Sequence, residues 1–403
     1  MNALVLGLAR SGQAAALALA RRGERVVGVD RSREVDAGRL EAAGVEVRLG
    51  FEEASLLEGM DVLIKSPGVP AEAPLVAAAR ARGVPVWSEV ELASRLLPNP
   101  ILGVTGTNGK TTTSELLGAM LGAPVAGNVG RALSELDGEV NGHRWIVCEL
   151  SSFQLEDVAD FRARIAVLLN LEPDHLDRHG TFEAYRDAKL RIFENQSADD
   201  VAVVPRGFGD VGAARRVEFS GSDPLPAEPR MPGAHNRENA AAATAAARAA
   251  GASEEQIAEA LQTFPGVPHR LEEVAEIGGV RYVNDSKATN AAAARRAVAS
   301  FDEPLHVILG GLGKSESYAE LARDLRAKGA RAYLIGAAAD ELAVALEIPY
   351  ERSGDLKTAM RAAAAAARPG EIVLLSPACA SYDQFDDFEQ RGNEFRRIVE
   401  ELK

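Results

Sequence analysis

The stretch Gly103-Val-Thr-Gly-Thr-Asn-Gly-Lys-Thr-Thr112 decides the fold of this 403-residue chain. An apolar segment that begins at Ile101 precedes it and predicts a strand, and a helix is predicted from about Lys110. Glycines between a strand and a helix let backbone N–H groups surround a phosphate at the helix N-terminus. The stretch therefore predicts a phosphate-binding loop in a parallel α/β domain.

The side chains of this loop suit a nucleotide with a magnesium ion. Lys110 would neutralise the terminal phosphate oxygens, and the Thr111 hydroxyl is placed to ligate magnesium. The G-x-x-x-x-G-K-[ST] spacing is not met, because Val104 occupies the first glycine position. A glycine turn with a surface lysine is the alternative, which the strand–turn–helix context disfavours. The predicted nucleotide contacts are Gly106, Thr107, Asn108, Gly109, Lys110, Thr111 and Thr112.

Short apolar runs and helical stretches alternate on both sides of this loop, which is the pattern of a parallel sheet. Strands are predicted at 4–6, 26–29, 45–47, 62–64, 145–149, 165–169, 280–284, 305–309, 332–335 and 372–375. Helices are predicted at 11–22, 71–82, 236–250 and 253–263, and from about Gln384. Proline-containing segments at 97–100 and 264–268 separate three alternating blocks. We therefore predict an α/β protein of three domains: a Rossmann-like domain at 1–96, a central P-loop ATPase-type parallel sheet at 97–266 and a Rossmann-like domain at 267–403.

The composition argues against several classes of protein. The formal net charge of -14 disfavours nucleic-acid binding, which needs a positive surface. Cys148 and Cys379 lack a CxxC or CxxH partner, so they predict neither a disulfide nor a zinc site. The apolar amino-terminal segment lacks a basic leader and is interrupted at 10–13, and no other run reaches membrane-spanning length. We expect a cytoplasmic monomer with no membrane and no nucleic-acid partner.

A carboxylate stands at the end of the strand predicted downstream of the loop. Glu149 closes the mainly apolar segment Trp145-Ile-Val-Cys-Glu149. P-loop enzymes carry an acid that organises the metal at this place, and an ordinary acidic residue at a strand end is the alternative. The upstream loop favours the metal role.

Longer strings carry a resemblance to a known family. Thr105-Gly-Thr-Asn-Gly-Lys-Thr111 resembles the ATP loop of the Mur ligase family, which includes the folylpolyglutamate synthases. Three strings resemble the D-glutamate-adding members: Glu149-Leu-Ser-Ser-Phe-Gln-Leu-Glu156, Asn284-Asp-Ser-Lys-Ala-Thr-Asn290 and Ser376-Pro-Ala-Cys-Ala-Ser-Tyr-Asp-Gln-Phe385 with Phe388-Glu-Gln-Arg-Gly392. The resemblance covers essentially the whole chain and is weakest in the N-terminal domain and at 205–230.

The resemblance implies an ATP-dependent ligase that adds D-glutamate to UDP-N-acetylmuramoyl-L-alanine in peptidoglycan precursor synthesis. The γ-phosphate of ATP would pass to the L-alanyl carboxylate, and the amine of D-glutamate would attack the acyl phosphate. Lys110, the metals and nearby lysines would stabilise the charge in transfer. The C-terminal domain would close to assemble the site and exclude water.

The resemblance also implies two magnesium ions. Thr111 and Glu149 would serve the first and His175 the second, although the residues alone make His175 a loop histidine. Lys189 is by sequence a lysine of an amphipathic helix, for which solvent is the usual location. The resemblance implies that it is carbamylated to N6-carboxylysine, a hard oxygen ligand, which requires a lowered lysine pKa. The implied catalytic residues are Lys110, Glu149, His175, Lys189 and Lys314.

The amino-terminal turn Gly7-Leu-Ala-Arg-Ser-Gly12 is a degraded G-x-G-x-x-G motif, in which Ala9 replaces the middle glycine. With Asp30 at the end of the second predicted strand, it indicates by itself a NAD-binding Rossmann domain. The resemblance implies instead that this domain holds the UDP end of the nucleotide sugar. The implied contacts of this substrate are Arg10, Ser11, Asp30, Arg31, Ser66, Pro67, Gly68, Asn128, Ser151 and Gln154.

Further positions match the ATP and amino-acid sites of the family. Asn236 and Asn239 match its adenine side, with helix N-capping as the alternative role. The ribose and phosphate contacts would be His269, Arg270 and Asp285. The contacts of D-glutamate or of the reacting phosphate would be Lys287, Thr289, Lys314, Ser381 and Phe388. Lys287 and Lys314 follow predicted strands and precede helices, the usual location of α/β sites.

Three alternatives stay open at this point. Another Mur ligase or a folylpolyglutamate synthase would share the loop but is not expected to carry the string at 376–385. A nicotinamide-dependent oxidoreductase is supported only by the N-terminal domain. A nucleotide-binding regulatory protein leaves the C-terminal strings unexplained.

Overall fold

The computed structural model describes residues 1–231, 233–313 and 317–403. These residues form three sheets whose strands are connected mainly by helices, so the predicted α/β class is confirmed. Among them, no helix combines the length and the apolar character that crossing a bilayer requires.

Five parallel strands form the first sheet: β1 (Asn2–Leu6), β2 (Arg25–Asp30), β3 (Glu46–Leu49), β4 (Val62–Lys65) and β5 (Val86–Ser88). Around it lie α1 (Arg10–Arg21), α2 (Gly38–Ala42), α3 (Pro74–Ala81) and α4 (Glu89–Leu96), with a 3₁₀ turn at Ala54–Leu57. The strand order is β3-β2-β1-β4-β5, as in doubly wound folds. Gly23 and Gly83 follow α1 and α3 with positive φ, which favours glycine where a helix ends. Helix α3 begins later than predicted because Pro74 takes the first helical position.

Six parallel strands form the second sheet, in the order β11-β10-β9-β6-β8-β7. They are β6 (Ile101–Thr105), β7 (Val125–Gly127), β8 (Ile146–Glu149), β9 (Ile165–Leu168), β10 (Val201–Pro205) and β11 (Arg215–Phe219). The helices are α5 (Lys110–Leu121), α6 (Ser152–Leu155), α7 (Leu176–His179), α8 (Phe182–Leu190), α9 (Ala234–Ala249) and α10 (Glu254–Thr263), with 3₁₀ turns at Leu133–Leu136 and Arg191–Phe193. Strand β6 is central and its carboxyl end carries the predicted phosphate loop.

The third sheet has the order β12-β13-β17-β14-β15-β16, and only β12 runs antiparallel to its neighbour. Its strands are β12 (Glu272–Ile277), β13 (Val280–Asn284), β14 (Leu305–Gly310), β15 (Arg331–Ile335), β16 (Tyr350–Gly354) and β17 (Ile372–Leu375). Its helices are α11 (Ala291–Ala299), α12 (Ala319–Ala327), α13 (Ala339–Ala345), α14 (Leu356–Ala366) and α15 (Phe388–Glu401). Helix α15 begins later than predicted because Asp387 caps it, accepting a hydrogen bond from the Gln390 N–H.

Contacts divide the chain into two compact units. The first comprises Met1–Pro229 and His235–Thr263 and contains the first two sheets. The second comprises Arg230–Ala234 and Phe264–Lys403 and contains the third sheet. The limits of the three domains, at 96/97 and 266/267, stay a prediction.

Buried polar contacts join the first two sheets. Lys65, at the end of β4, forms an ion pair with Asp157, which follows α6; the Nζ–Oδ2 distance is 2.9 Å and both side chains are buried. The buried carboxylate of Glu91 in α4 accepts hydrogen bonds from the backbone N–H groups of Ala159 and Phe161. Buried charges need such partners to be tolerated. These contacts therefore fix the position of the two sheets relative to each other.

Candidate active site

The predicted phosphate loop connects β6 to α5. Gly106 and Gly109 have φ of 151° and 83°, values that favour glycine. The Lys110 ammonium donates to the carbonyl oxygens of Gly106 and Thr107, at 2.8 and 2.9 Å, and so lies over its own loop. Thr111 and Thr112 are buried in the first turn of α5. The loop thus directs the amino end of a helix and a cation at one place, which suits a polyphosphate.

Other residues support the loop from a neighbouring strand end. The Asn108 N–H donates to Asn170 Oδ1 at 2.8 Å, and the Asn108 side chain donates to Glu172 at 2.9 Å. The Thr107 hydroxyl accepts a hydrogen bond from the Tyr185 hydroxyl at 3.0 Å. The loop conformation is therefore fixed by segments that follow β9 as well as by its own glycines.

Asn239 of α9 lies directly against the loop. A Cβ atom on Gly109 would stand 2.2 Å from Asn239 Oδ1, so any larger residue at this position must displace the Asn239 side chain. Asn236 and Asn239 are both buried and lie inside α9, which begins at Ala234. The alternative of helix N-capping is therefore wrong for both asparagines. The position of Asn239 beside the loop fits the predicted nucleotide site.

Gly109→Ala is expected to weaken ATP binding by at least about tenfold, or about 1.4 kcal/mol. The added methyl group must displace Asn239, and the left-handed backbone also costs about 1 kcal/mol of stability. Gly122→Ala is the matched control, because Gly122 follows the same helix with positive φ and has open space around its Cβ position. Calorimetric titration with ATP and thermal unfolding would show equal destabilisation of both variants and lost affinity in the first alone. Equal ATP affinity in the two variants would contradict the prediction.

Lys189 is buried against the phosphate loop. Its side chain in α8 is 2% exposed, and its ammonium donates to the Gly106 carbonyl oxygen at 2.8 Å. It also lies 4.7 Å from the centre of the Tyr185 ring. Burial, followed by the nearby charge of Lys110, lowers the Lys189 pKa to about 7. The solvated location that the sequence alone favours is wrong, because α8 turns this face toward β6 and its loop.

Glu149 occupies the carboxyl end of β8, next to β6. The carboxylate is 2% exposed and accepts a hydrogen bond from the Asn128 amide at 2.9 Å. The Asn128 carbonyl oxygen in turn accepts a hydrogen bond from the Arg10 guanidinium at 3.2 Å. Gly127 permits this approach, because a Cβ there would stand 2.2 Å from the Glu149 carbonyl oxygen. Two predicted substrate residues thus lie in a chain of contacts that ends at the predicted metal ligand.

His175 lies in the segment that follows β9, immediately before α7. Its φ of 52° is left-handed, and its side chain is exposed beside that of Asp174, 3.6 Å away. Its ring stands edge-on to Phe153 with 5.0 Å between the ring centres, and 6.4 Å from that of Tyr185. The Tyr185 ring also contacts the Lys189 ammonium. His175 therefore lies in the same part of the central domain as the buried lysine.

Ser151 and Gln154 cap α6 reciprocally. The Ser151 hydroxyl accepts from the Gln154 N–H at 3.3 Å, and the Ser151 N–H donates to Gln154 Oε1 at 3.0 Å. The buried Gln154 Nε2 has no acceptor among the residues that the structure describes. A capping role is therefore shown for both, beside the substrate role that the resemblance implies.

The first sheet arranges the predicted uridine-side residues around the turn after β1. Gly12 is required there, because a Cβ would stand 1.8 Å from the Gly7 carbonyl oxygen. The Ser66 hydroxyl donates to the same carbonyl oxygen at 2.6 Å. Ser11, Pro67 and Gly68 are at least partly exposed around this turn, and Arg31 is paired with Glu52.

Asp30 is used to hold this turn. Its carboxylate accepts hydrogen bonds from the Leu8 N–H at 2.7 Å and the Ser32 N–H at 2.8 Å. A dinucleotide domain would use the acid at this place for the ribose hydroxyls. The engagement of both carboxylate oxygens by the backbone disfavours the NAD-binding alternative.

In the second compact unit, the predicted residues gather at the carboxyl ends of β13 and β17. His269, with a left-handed φ of 62°, accepts or donates a hydrogen bond with Asn284 at 3.0 Å. The Lys287 ammonium lies 5.7 Å from the Phe388 ring centre, and the His269 ring is edge-on to the same ring at 6.3 Å. Ser381 is buried beyond β17, and Arg270 and Thr289 are partly exposed on the adjoining loops. Lys314 lies outside the described residues.

Sequence reasoning missed the cation that holds these loops together. Arg391, in the string Phe388–Gly392, is fully buried and donates to the Ser286 hydroxyl at 3.0 Å and to the carbonyl oxygens of Cys379 and Ala380. Burial lowers its pKa to about 10. The string Phe388–Gly392 contained the signal, because Arg391 stands near Phe388, a predicted substrate contact. An arginine at such a place needs hydrogen-bond acceptors for its guanidinium.

Asp285 is a buried acid whose charge opposes folding. Burial raises its pKa from 3.8 to about 7, although the Ser376 hydroxyl donates to it at 2.8 Å. Between these two values the folded state holds a proton that the unfolded state has lost, so stability falls as pH rises from about 4 to 7. Asp285→Asn is expected to remove this loss, about 4 kcal/mol at pH 7, of which about 2 kcal/mol arises between pH 5 and pH 7. Urea unfolding of both proteins at pH 5 and pH 7 would measure it, and an equal pH dependence would contradict it.

Comparison with known proteins identifies the family. Three family models match: "Mur ligase MurD-like, N-terminal domain" at 1–88, "Mur ligase middle domain" at 104–208 and "Mur ligase, glutamate ligase domain" at 269–379. A UDP-N-acetylmuramoylalanine–D-glutamate ligase of Acidobacterium capsulatum is 41% identical, over 98% of this chain and 95% of its own. One of Anaeromyxobacter dehalogenans is 44% identical, over 98% of this chain and 97% of its own.

Solved structures show the same fold. The MurF ligase of Thermotoga maritima in complex with ADP has a TM-score of 0.62 at 18% identity, covering 94% of this chain and 96% of that one. The UDP-N-acetylmuramate–alanine ligase MurC of the same organism has a TM-score of 0.59 at 19% identity and covers 100% of both chains. With family models matched in all three parts and close relatives along nearly its whole length, the chain belongs to the Mur ligase family.

Proposed function

We propose that the protein is a cytoplasmic, monomeric ATP-dependent ligase that joins D-glutamate to UDP-N-acetylmuramoyl-L-alanine during peptidoglycan precursor synthesis. The observation that supports it most is the phosphate loop, against which two lysines, Lys110 and Lys189, donate to one carbonyl oxygen. The relatives that share nearly the whole chain carry the name of this activity.

The residues around the loop suit ATP with magnesium. Magnesium prefers oxygen ligands and takes one or two from a protein, with phosphate and water completing its shell. The buried Thr111 hydroxyl and the Glu149 carboxylate provide such oxygens. A bound ion would neutralise the charge of the phosphates in transfer.

A second magnesium is proposed at His175 and a carbamylated Lys189. Carbamylation needs a neutral amine, and the lowered Lys189 pKa of about 7 provides one near physiological pH. The carbamate would add a carboxylate-like oxygen ligand beside the loop. It would also turn a buried cation into an anion beside Lys110, replacing repulsion between two lysines with attraction.

The reaction follows from what these residues orient. Lys110 and the backbone N–H groups of the loop would hold the γ-phosphate while the L-alanyl carboxylate attacks it, which gives an acyl phosphate and ADP. The amine of D-glutamate would then attack the acyl carbon, and inorganic phosphate would leave from the tetrahedral intermediate. Lys287, Ser381 and Lys314, which lies outside the described residues, are proposed to hold the carboxylates of D-glutamate. Arg391 positions the loops of Lys287 and Ser381 through its contacts with Ser286, Cys379 and Ala380. Asn236, Asn239, His269, Arg270 and Asp285 are proposed for the nucleoside side.

Phosphate release is the direct test of this function. The protein would be assayed with ATP, magnesium and UDP-N-acetylmuramoyl-L-alanine, with D-glutamate, L-glutamate, L-alanine or meso-diaminopimelate in turn, and NADH absorbance followed in parallel. We expect phosphate release to depend on the nucleotide sugar and to be fastest with D-glutamate. Equal release without an amino acid, or a preference for another amino acid, would refute the proposal.

A further inference from the structure

An aromatic ring joins the two helices that follow the predicted metal ligands. Phe153 of α6 lies between Arg178, whose guanidinium carbon is 4.3 Å from the ring centre, and His179, whose ring is stacked on it with 5.2 Å between the centres. The side chain of His179 is 3% exposed and also contacts Ser152 Oγ at 3.0 Å and Glu156 at 3.2 Å. Helix α6 follows Glu149 and α7 follows His175, so this packing fixes one predicted ligand relative to the other.

The same arginine reaches the first sheet. The Arg178 guanidinium donates at 2.6 Å to the carbonyl oxygen of Val69, in the turn 66–69 that follows β4. The turn has anchors within its own sheet as well. The Lys65 ammonium donates to the same carbonyl oxygen at 3.1 Å, and the Ser66 hydroxyl donates to the Gly7 carbonyl oxygen.

We propose that Arg178 is a positioning residue that sets the distance between the substrate-binding turn 66–69 and the catalytic segment that carries His175. The proposal rests on the proposed function, because that function places the UDP end of the substrate at the turn and its acyl end near the metals. A guanidinium is suited to this role, since its plane can stack on an aromatic face while its edge donates to a carbonyl oxygen.

The geometry predicts a selective defect. Loss of Arg178 leaves the turn attached to its own sheet through Lys65 and Ser66, so a ligand that contacts only this sheet keeps its site. A substrate that spans both sheets loses the alignment of its two ends, and small misplacements of reacting groups reduce rates by about a hundredfold. A purely structural arginine would instead change all ligands alike.

Arg178→Met tests this, with Arg80→Met as matched control. Arg80 lies in α3, beside the first sheet. Like Arg178, it donates to a backbone carbonyl oxygen, that of Ala71, and it pairs with Asp157 of the second sheet's domain at 3.0 Å. Calorimetric titration would compare UDP, ADP and UDP-N-acetylmuramoyl-L-alanine. For Arg178→Met we expect the Kd of the nucleotide sugar to rise about tenfold, with those of UDP and ADP within about twofold. For Arg80→Met we expect the Kd values of UDP, ADP and the nucleotide sugar all to stay within about twofold of those of the unchanged protein.

A second variant keeps the proposal testable if Arg178→Met does not fold. Phe153→Leu removes the stacking partner but leaves the hydrogen bond to Val69, so it should show the same selectivity with a smaller change. Where ligation is measured, kcat should fall with a rise in KM for the nucleotide sugar and not for ATP.

Several results would overturn the positioning role. They are an unchanged Kd for the nucleotide sugar in both variants, a parallel loss of UDP binding, an equal effect of Arg80→Met, or an unchanged protein that binds the nucleotide sugar no better than UDP. Unchanged protein that binds the nucleotide sugar but joins no amino acid would refute the proposed function alone. The selective Kd change would still decide the role of Arg178.

Discussion

Lys110→Ala is expected to lower the rate of amide formation by about 10³-fold. The ammonium donates to two carbonyl oxygens of the loop and so places a positive charge where the γ-phosphate is proposed to bind. Phosphoryl transfer depends almost entirely on positioning and on charge stabilisation, so removal of this charge is expected to slow it strongly. The fold should persist, because the hydrogen bonds that are lost join the side chain to its own loop.

The matched control for this substitution is Lys328→Ala. Lys328 also donates from its ammonium to a backbone carbonyl oxygen, that of Phe301, but it follows α12 in the second compact unit. Steady-state phosphate release with D-glutamate, together with thermal unfolding, would separate loss of catalysis from loss of structure. A Lys110→Ala protein with an unaltered rate would show that the loop does not serve the transferred phosphate.

Lys189→Ala is expected to lower activity by a similar factor of about 10³, because it removes the proposed carbamate and its metal. The unchanged protein should also lose activity when carbon dioxide is removed and regain it with bicarbonate. The pKa of about 7 sets the direction of the pH effect. Below pH 7 the amine is mainly charged and cannot react, so reactivation should be stronger at pH 8 than at pH 6.

The mass of the intact protein would show the modification directly. We expect the mass of one added carbon dioxide in mild buffers, absent from Lys189→Ala and retained in Lys328→Ala. Lys110→Ala offers a further check. Because Lys110 is the second cause that lowers the Lys189 pKa, its removal should raise that pKa and reduce modification at pH 7. Full activity of Lys189→Ala, or indifference of the unchanged protein to carbon dioxide, would contradict the carbamate.

Local patterns predicted the fold well. Strands such as Val62–Lys65 and Ile372–Leu375 lie where apolar, β-branched runs predicted them, and α5 begins at Lys110. The predicted ends of the helices were less accurate, as at α3 and α15. The first residue of these helices is set by a proline in α3 and by a capping aspartate in α15. Short strands such as Val86–Ser88 and Val125–Gly127 were not predicted, since three residues carry too little periodicity.

The residues of the candidate site were predicted less well than the fold. The loop was found because glycines with positive φ are a local requirement. The helix pattern alone assigned Lys189 to solvent, whereas the structure buries it against the loop. The amino-terminal glycine turn with Asp30 indicated by itself a NAD-binding domain, whereas both oxygens of this carboxylate accept hydrogen bonds from backbone N–H groups. Asn239 was open to a capping role until its position inside α9 excluded it.

By itself, therefore, the sequence determined the α/β class, the phosphate loop and the strings that mark the family, because each depends on residues that are neighbours in the chain. Only the tertiary structure decided that Lys189 meets the Gly106 carbonyl oxygen, that Gly109 packs on Asn239 and that Arg178 reaches Val69. These pairs are far apart in the chain. Their distances, and the lowered pKa that follows from one of them, exist only after sheets and helices have packed.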